Sequence, residues 1–596
     1  MDVIRRFHTR GDQRNKSTYR ICFCFRLMFR LKLAEPPQEI VDVFNNYSNN
    51  GVMTVENLQD FLREFQEEKN YFEVAESIFN SLKHLHVFQR SGLHLHAFFK
   101  YLTGDLNSPL AHQGEVHHDM NKPLSHYFLY TGHNSYLTGN QLSSDSSIEP
   151  IIRALQSGVR VIELDLWPSR TNKHDIEVRH GGTVTSSVKL IKCLEAIKDH
   201  AFAASKYPVI ITFEDHLSPR RQKIAAQMVS NTFREMLYPG VDFLEFPSPE
   251  ELKEKILIST KPPKESSESL NDQENYDHKT KEISDRSQPI QENYSGTTYT
   301  DPEFDIPIKF SLQEHEEEEE EDEDEEGSVP KYSHLIAIHA LKWQDGGLEH
   351  LLKQNSNRDA RLSMSEQELE DTVKSHATDI VKFTQKNLLR VYPKGTRFLS
   401  SNYNPLIGWT HGAQMVAFNM QGYGKHLWIM QGMFRANGGC GYVKKPDFML
   451  RNEPFGPKIR TPVKKILTVK LYMGDGWHMQ FHRTHFDRFS PPDFFAKVEI
   501  WGVPADIKRE TTAVIENQWV PMWNKEFQFP LTAPELALLR IEVRDEDVDG
   551  RHDFGGQTCL PISELRTGIR AVPLYNQKGE KYEHVKLLIK FQISLP

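Results

Sequence analysis

The sequence has no run of 18 apolar residues, so no segment predicts a membrane span. Its one apolar stretch near the N-terminus is broken by Arg26, Arg30 and Lys32, which argues against a signal peptide. Cysteine is scarce, five in 596 residues, and no CxxC pair occurs. That excludes a disulfide frame or a zinc ribbon and fits a reducing compartment. The net charge of −10 comes from one acidic run, and nucleic acid is not an expected partner, since for the basic N-terminal tail it ranks behind membrane contact and disorder. A cytosolic chain is expected. What remains is ordinary for soluble protein, 38% hydrophobic and 26% charged residues. The length suggests roughly four domains at ~150 residues each.

The residues that carry chemistry gather between 127 and 216. Tyr-Phe-Leu-Tyr-Thr-Gly-His133-Asn134-Ser-Tyr comes first, then Val-Arg-Val-Ile-Glu163-Leu-Asp165-Leu-Trp. Arg179-His180-Gly and Tyr-Pro-Val-Ile-Ile-Thr-Phe-Glu214-Asp-His follow. Each polar group sits at or just past the end of an apolar, β-branched run, the pattern of buried parallel strands. A stretch of helical spacing, 187–204, separates two of them. Strand and helix in alternation, with polar groups at strand ends, predict a parallel (β/α) barrel. Glu163 and Asp165 are two apart, so on a strand both face the barrel interior. Two carboxylates there repel unless a cation binds them. With Asn134 and Glu214 they form an all-oxygen set that favours Ca²⁺ or Mg²⁺ over zinc. His133 and His180 remain for proton transfer and for holding a developing oxyanion.

These phrases resemble the X half of the catalytic barrel in eukaryotic phosphoinositide-specific phospholipase C, and the layout from about residue 35 to 596 is most similar to the plant enzymes. The resemblance implies a degenerate EF-hand-like helical region at 35–107 and a (β/α)8 TIM-like barrel. The barrel's X half would span 118–263 and its Y half 331–448, with an acidic disordered linker at 264–330. A C2 β-sandwich would occupy 463–596, after a basic tail at 1–34.

The rest of the chain agrees with that layout. The tail interleaves aromatics with Arg5, Arg6, Arg10, Arg14, Lys16 and Arg20, which suits either an anionic membrane face or a disordered segment. Cys22 and Cys24 are candidate acylation sites. The loop Asn46 to Asn57 keeps the turn glycine, Gly51, but has no carboxylate where a Ca²⁺ loop needs one. A second turn at Gln89–Gly92 is poorer still. The segment 264–330 is poor in large aliphatics and carries an unbroken acidic block, Glu316–Glu326, that anionic lipid would repel. It resembles the family's X/Y linker, acting as an autoinhibitory lid. Short alternating strands after residue 463 read as a sandwich. Asp493, Asp545, Asp547 and Asp553 are candidate Ca²⁺ ligands on its loops, with Asp487 a possible addition. A solvated acidic turn is the alternative there.

The resemblance implies Ca²⁺-dependent hydrolysis of phosphoinositides to diacylglycerol and inositol phosphate through a cyclic intermediate. Asn134, Glu163, Asp165 and Glu214 would hold Ca²⁺, and Glu214 or Glu163 would take the proton of the sugar hydroxyl. His133 would stabilise the transition state and His180 would protonate the leaving oxygen. Lys261, Ser363, Arg390 and Tyr392 would bind the headgroup. Where animal delta-type enzymes place two lysines, this chain has Ser259 and Lys261, so phosphatidylinositol itself becomes an expected substrate. Gly182, Val184 and Thr396 stand where animal enzymes carry large apolar rim residues, which questions insertion of the barrel into lipid. A monomer acting peripherally at the inner face of the plasma membrane is expected. A silent lipid-binding scaffold is the alternative, and the complete set of histidines and oxygen ligands weighs against it. A glycerophosphodiesterase would lack the split barrel, the EF-like region and the C2 domain.

Overall fold

The computed structural model describes residues 16–20, 26–30, 34–82, 92–112, 114–172, 175–240, 245–262, 331–341, 360–451, 455–456, 461–483, 485–487, 489–547 and 550–596. The expected linker, its acidic block, Cys22, Cys24 and most of the second EF-like turn lie outside these. In the basic segment, Lys16–Arg20 pairs antiparallel with Arg26–Arg30.

Eight parallel strands form the centre of the molecule. They are β1 (Tyr127–Gly132), β2 (Val161–Pro168), β3 (Val209–Asp215), β4 (Ile256–Thr260), β5 (Ile336–His339), β6 (Arg361–Ser365), β7 (Leu388–Tyr392) and β8 (Met415–Phe418). Each pairs with the next, β8 pairs back to β1, and a parallel bridge between Ala340 and Arg361 joins β5 to β6. The sheet is therefore closed, a TIM-like barrel. Its first four strands come from one side of the undescribed segment 263–330 and its last four from the other.

Residues alternate along each strand between two environments, as the pleat requires. Ile162, Leu164 and Leu166 of β2 share a core with Leu194 and Ile197 of the helix Leu190–His200. The other parity points inward. Leu129, Val161, Ile210, Leu257, Leu388 and Met415 form a separate apolar floor. Two residues further on, the same parity turns polar at Thr131, Glu163, Thr212, Ser259 and Arg390, all buried. A further step of two reaches His133, Asp165, Glu214, Lys261 and Tyr392, at the carboxyl-terminal mouth where (β/α) barrels carry their chemistry.

The EF-like region is four helices, Gln38–Tyr47, Val55–Glu64, Tyr71–Leu82 and Leu95–Leu102. Its first loop is spent on structure. Asn57, at the last loop position, accepts from the Thr54 backbone amide and completes a capping box. The bridge Met53–Leu93 ties the two loops together. The C-terminal domain is an eight-stranded antiparallel array between Lys465 and Ser594. Its two four-stranded halves meet through the single pair Gln557–Tyr575, which makes a sandwich. The helix Lys425–Met433 lies against it so closely that a Cβ on Gly432 would stand 2.5 Å from Cys559 Sγ. Cys193, Cys440 and Cys559 are all free and buried.

One interdomain cluster mimics a metal site. Glu564 of the sandwich faces His117 Nε2 at 3.1 Å and His118 Nε2 at 3.4 Å. His118 Nδ1 accepts the Lys444 amide proton, so its Nε2 carries hydrogen and donates to Glu564. A metal-bound imidazole donates from its other nitrogen instead. The cluster is a hydrogen-bonded latch.

Candidate active site

The barrel mouth assembles the candidates from both halves of the chain. Asp165 and Glu214 are register partners on adjacent strands, so both carboxylates project to the same side. Oxygens of Glu163, Asp165 and Glu214 all lie within 4.8 Å of one another. Asn134 follows β1 in a left-handed conformation, φ 42°, which asparagine tolerates better than most residues. That turn aims its backbone N–H at Glu163 Oε2, 3.2 Å away. Tyr136 donates to Asp165 Oδ2 at 2.8 Å, while Asp165 Oδ1 is buried without a hydrogen-bond partner. Burial, then Glu214 and Glu163, push the Asp165 carboxyl well above the usual carboxylate range. Glu214 is 58% exposed, and a hydrogen bond from His216 holds its carboxyl below that range.

An orphaned carboxylate oxygen amid three crowded carboxylates and an amide is a donor set for a hard divalent cation. The residues fit a hard cation such as Ca²⁺ or Mg²⁺.

The histidines flank this cluster. His133 Nε2 is 4.0 Å from Glu163 Oε2, and its Nδ1 donates to Asn419 Oδ1 at 3.0 Å. Burial holds its pKa below the ordinary histidine value. His180 Nδ1 donates to the carbonyl of Gln141 at 2.8 Å. Both acceptors are carbonyl oxygens, so both rings carry their proton on Nδ1 when neutral and turn Nε2 to the cleft.

The headgroup candidates are less uniform. Ser363 and Arg390 are register partners on β6 and β7, and Arg390 lies over the Tyr392 ring at 5.3 Å. Arg390 also pairs inward with Glu163. Lys261 is exposed just past β4. Ser259 is fully buried, its hydroxyl donated to the Ile338 carbonyl at 3.0 Å. Arg361, which sequence reasoning passed over, donates to Thr212 at 3.2 Å inside the barrel. Burial beside Arg390 pushes its pKa down to about 9.

Beside the rim positions Gly182, Val184 and Thr396, neighbouring turns expose further apolar groups. Val184 is 77% exposed and Leu399 75%, and Leu142 is exposed beside them. These loops are stitched together by Val184 N–H to Leu142 O and Gln141 N–H to Phe398 O. Sequence position alone had drawn attention to Gly182, Val184 and Thr396, and missed Leu142 and Leu399 from adjacent turns.

The same architecture is found in known proteins. Models of the phosphatidylinositol-specific phospholipase C X domain match residues 120–262 and of its Y domain 335–448. A phospholipase C EF-hand-like model matches 32–106 and a C2 model 465–577. Phosphoinositide phospholipase C 2 of Arabidopsis thaliana is 54% identical over 97% of this chain and 100% of its own length. The chain belongs to the phosphoinositide-specific phospholipase C family. The delta-4 phosphodiesterase of Xenopus laevis is 32% identical over 93% of this chain and 72% of its own. The crystal structure of S. officinalis PLC21 superposes with a TM-score of 0.71 at 26% identity, covering 94% of this chain and 69% of that one. The phospholipase is thus a phosphodiesterase with a split catalytic barrel.

Its C2 loops gather a second acidic set. Asp487, Asp545 and Asp547 offer oxygens within 4.8 Å of one another. Asp545 Oδ2 is buried without a partner, and burial with the neighbouring aspartates pushes the carboxyl up to about 7. Asp493 Oδ1 accepts from the Asn517 amide at 2.6 Å, and Asp547 Oδ2 accepts from the Asp553 amide at 3.2 Å. Asp487, secondary in the sequence, therefore joins the central group, while the Asp493 carboxylate is taken by a backbone amide and Asp553 meets the group through its own amide.

Proposed function

We propose that the phospholipase cleaves phosphoinositides in a Ca²⁺-dependent reaction through a cyclic inositol phosphate. The reading rests on the orphaned Asp165 oxygen within the Glu163, Asp165, Glu214 cluster, flanked by two Nδ1-anchored histidines. Asn134, Glu163, Asp165 and Glu214 would hold the ion. When bound, Ca²⁺ supplies positive charge that lowers the pKa of the sugar 2-hydroxyl. Glu214 is the better placed acceptor for that proton, because Glu163 already accepts from Arg390 and from Asn134. The hydroxyl oxygen bonds to phosphorus while the bond to the glycerol oxygen breaks. With Nδ1–H held by its carbonyl acceptor, each ring would act as the imidazolium. His133 would hold the charge on the phosphoryl oxygens through Nε2–H, and His180 would give its Nε2 proton to the leaving oxygen and keep Nδ1–H. His180 then takes a proton from the attacking water, whose oxygen bonds to phosphorus, while the bond to the sugar 2-oxygen breaks and Glu214 returns its proton to that oxygen. Phosphorus NMR of phosphatidylinositol turnover tests this: a cyclic phosphodiester signal should rise and then fall. Formation of the acyclic monophosphate without it contradicts the route.

Headgroup selection would fall to Lys261, Ser363, Arg390 and Tyr392. The Ser259 hydroxyl is committed to Ile338, so that position supplies neither charge nor a free donor. Phosphatidylinositol and phosphatidylinositol 4,5-bisphosphate are therefore both expected substrates.

Docking would use the apolar rim together with the C2 loops, at the inner face of the plasma membrane. Burying one large aliphatic side chain is worth about 1.5–3 kcal/mol, so Leu399→Ser should weaken vesicle turnover roughly tenfold or more. Turnover of a soluble short-chain substrate should hold. Equal losses on both substrates would show that Leu399 supports the site and not the docking.

A further inference from the structure

Resting on that reading of the site, we infer that Gln141 is the positioning residue that sets both histidines and the ligand Asn134 as one unit. Gln141 is almost fully buried between the loop after β1 and the loops after β7 and β8. Its Oε1 accepts from Asn134 Nδ2 at 3.1 Å, which leaves Asn134 Oδ1 as the only side-chain atom able to ligate. Its Nε2 donates to Asn419 Oδ1 at 3.1 Å, the same oxygen that accepts from His133 Nδ1. The second Nε2 hydrogen goes to Ser400 Oγ at 2.9 Å. Its backbone carbonyl accepts from His180 Nδ1. Ser400 in turn donates to Gly139 O at 2.7 Å, closing the network on the loop it started from.

This network orients more than it stabilises. Asn419 Oδ1 receives two N–H donors, so it cannot rotate its amide without opposing donor to donor. Its own Nδ2 is fixed on Ser401 O at 3.2 Å, which holds the same orientation. His133 is thereby locked with Nδ1–H outward and Nε2 toward Glu163. No other side chain bonds both a candidate Ca²⁺ ligand and a partner of a catalytic histidine among the described residues. Partners of this kind, one step behind the ligands, typically change metal affinity or activity by 10–100-fold when removed.

The two arms of Gln141 can be cut separately. Gln141→Leu removes both. Gln141→Glu keeps the acceptor for Asn134 but sets a carboxylate against Asn419 Oδ1, so the Asn419 amide turns and His133 loses its acceptor. The full chain is titrated with Ca²⁺ by calorimetry, the barrel transition being the one that Asp165→Asn abolishes. The parameters kcat and KM are measured on a soluble short-chain phosphatidylinositol, and thermal melting checks the fold. Gln141→Leu should weaken the barrel transition by about 10–100-fold and lower kcat by a similar factor. Gln141→Glu should keep Ca²⁺ affinity within about threefold of wild type while kcat still falls by about tenfold or more, with KM little changed. Variants that melt like wild type and keep both affinity and kcat overturn the assignment. So does a loss of kcat in Gln141→Glu that is matched by an equal loss of Ca²⁺ affinity. If the wild type shows no barrel transition, the Ca²⁺ reading of the site falls instead, and the kcat values alone judge the histidine arm.

Discussion

His180→Gln in the full-length phospholipase lowers turnover of a soluble phosphoinositide by ~10²–10⁴, the usual contribution of a positioned acid or base. Glutamine preserves size and can still donate to the Gln141 carbonyl, but it cannot carry a proton to the leaving oxygen. His133→Gln costs a comparable factor, about 10²–10³, through lost stabilisation of charge on the phosphoryl oxygens. Its Nε2 lies 4.0 Å from Glu163, while its Nδ1 is the nitrogen held by Asn419. Steady-state rates at saturating Ca²⁺, with circular dichroism to confirm folding, check both. A folded variant that keeps more than about a tenth of wild-type turnover would falsify the roles given to these rings.

The second large effect is expected at the sandwich. The paired change Asp545→Asn with Asp547→Asn should abolish Ca²⁺-driven co-sedimentation with anionic vesicles. Asp545 carries a buried, partnerless oxygen and has its pKa pushed up to about 7, both signs of a carboxylate lacking its counter-charge. Bound Ca²⁺ would turn this repulsive rim into a bridge to lipid phosphates. The EF-like loop offers no competing site, because Asn57 caps a helix where a ligating carboxylate would stand. The barrel's own Ca²⁺ requirement should survive the double change, measured on soluble substrate. Sedimentation that remains Ca²⁺-dependent would place the ion elsewhere and leave these aspartates as a solvated turn.

Much of the catalytic centre was legible from strand periodicity. A step of two along β2 and β3 carries the chain from the floor residues Val161 and Ile210 to Glu163, Asp165 and Glu214 at the mouth. The same step along β8 leads from Met415 through Ala417 to Asn419, a signal for that residue present in the sequence itself. Gln141 was not readable this way. It lies in an irregular loop, and its role depends on three chain segments more than 250 residues apart in part. Arg390 was expected toward the headgroup, but its pairing with buried Glu163 depends on strand neighbours far apart in sequence. The rim's further apolar groups were hidden for a related reason: Leu142 and Leu399 join Val184 only because backbone hydrogen bonds bring separate loops together. In the sandwich, Asp487 entered the central acidic group from an irregular loop that alternation cannot place.

The most direct test is turnover of soluble short-chain phosphatidylinositol by the full-length protein in Ca²⁺-buffered solution. With a soluble substrate, vesicle binding through the C2 loops or the rim cannot contribute. Hydrolysis should be saturable in Ca²⁺, vanish in excess chelator and return when Ca²⁺ is restored, with Asp165→Asn inactive throughout. Undiminished hydrolysis in chelator, or full activity in Asp165→Asn, would contradict a Ca²⁺ site at the barrel mouth.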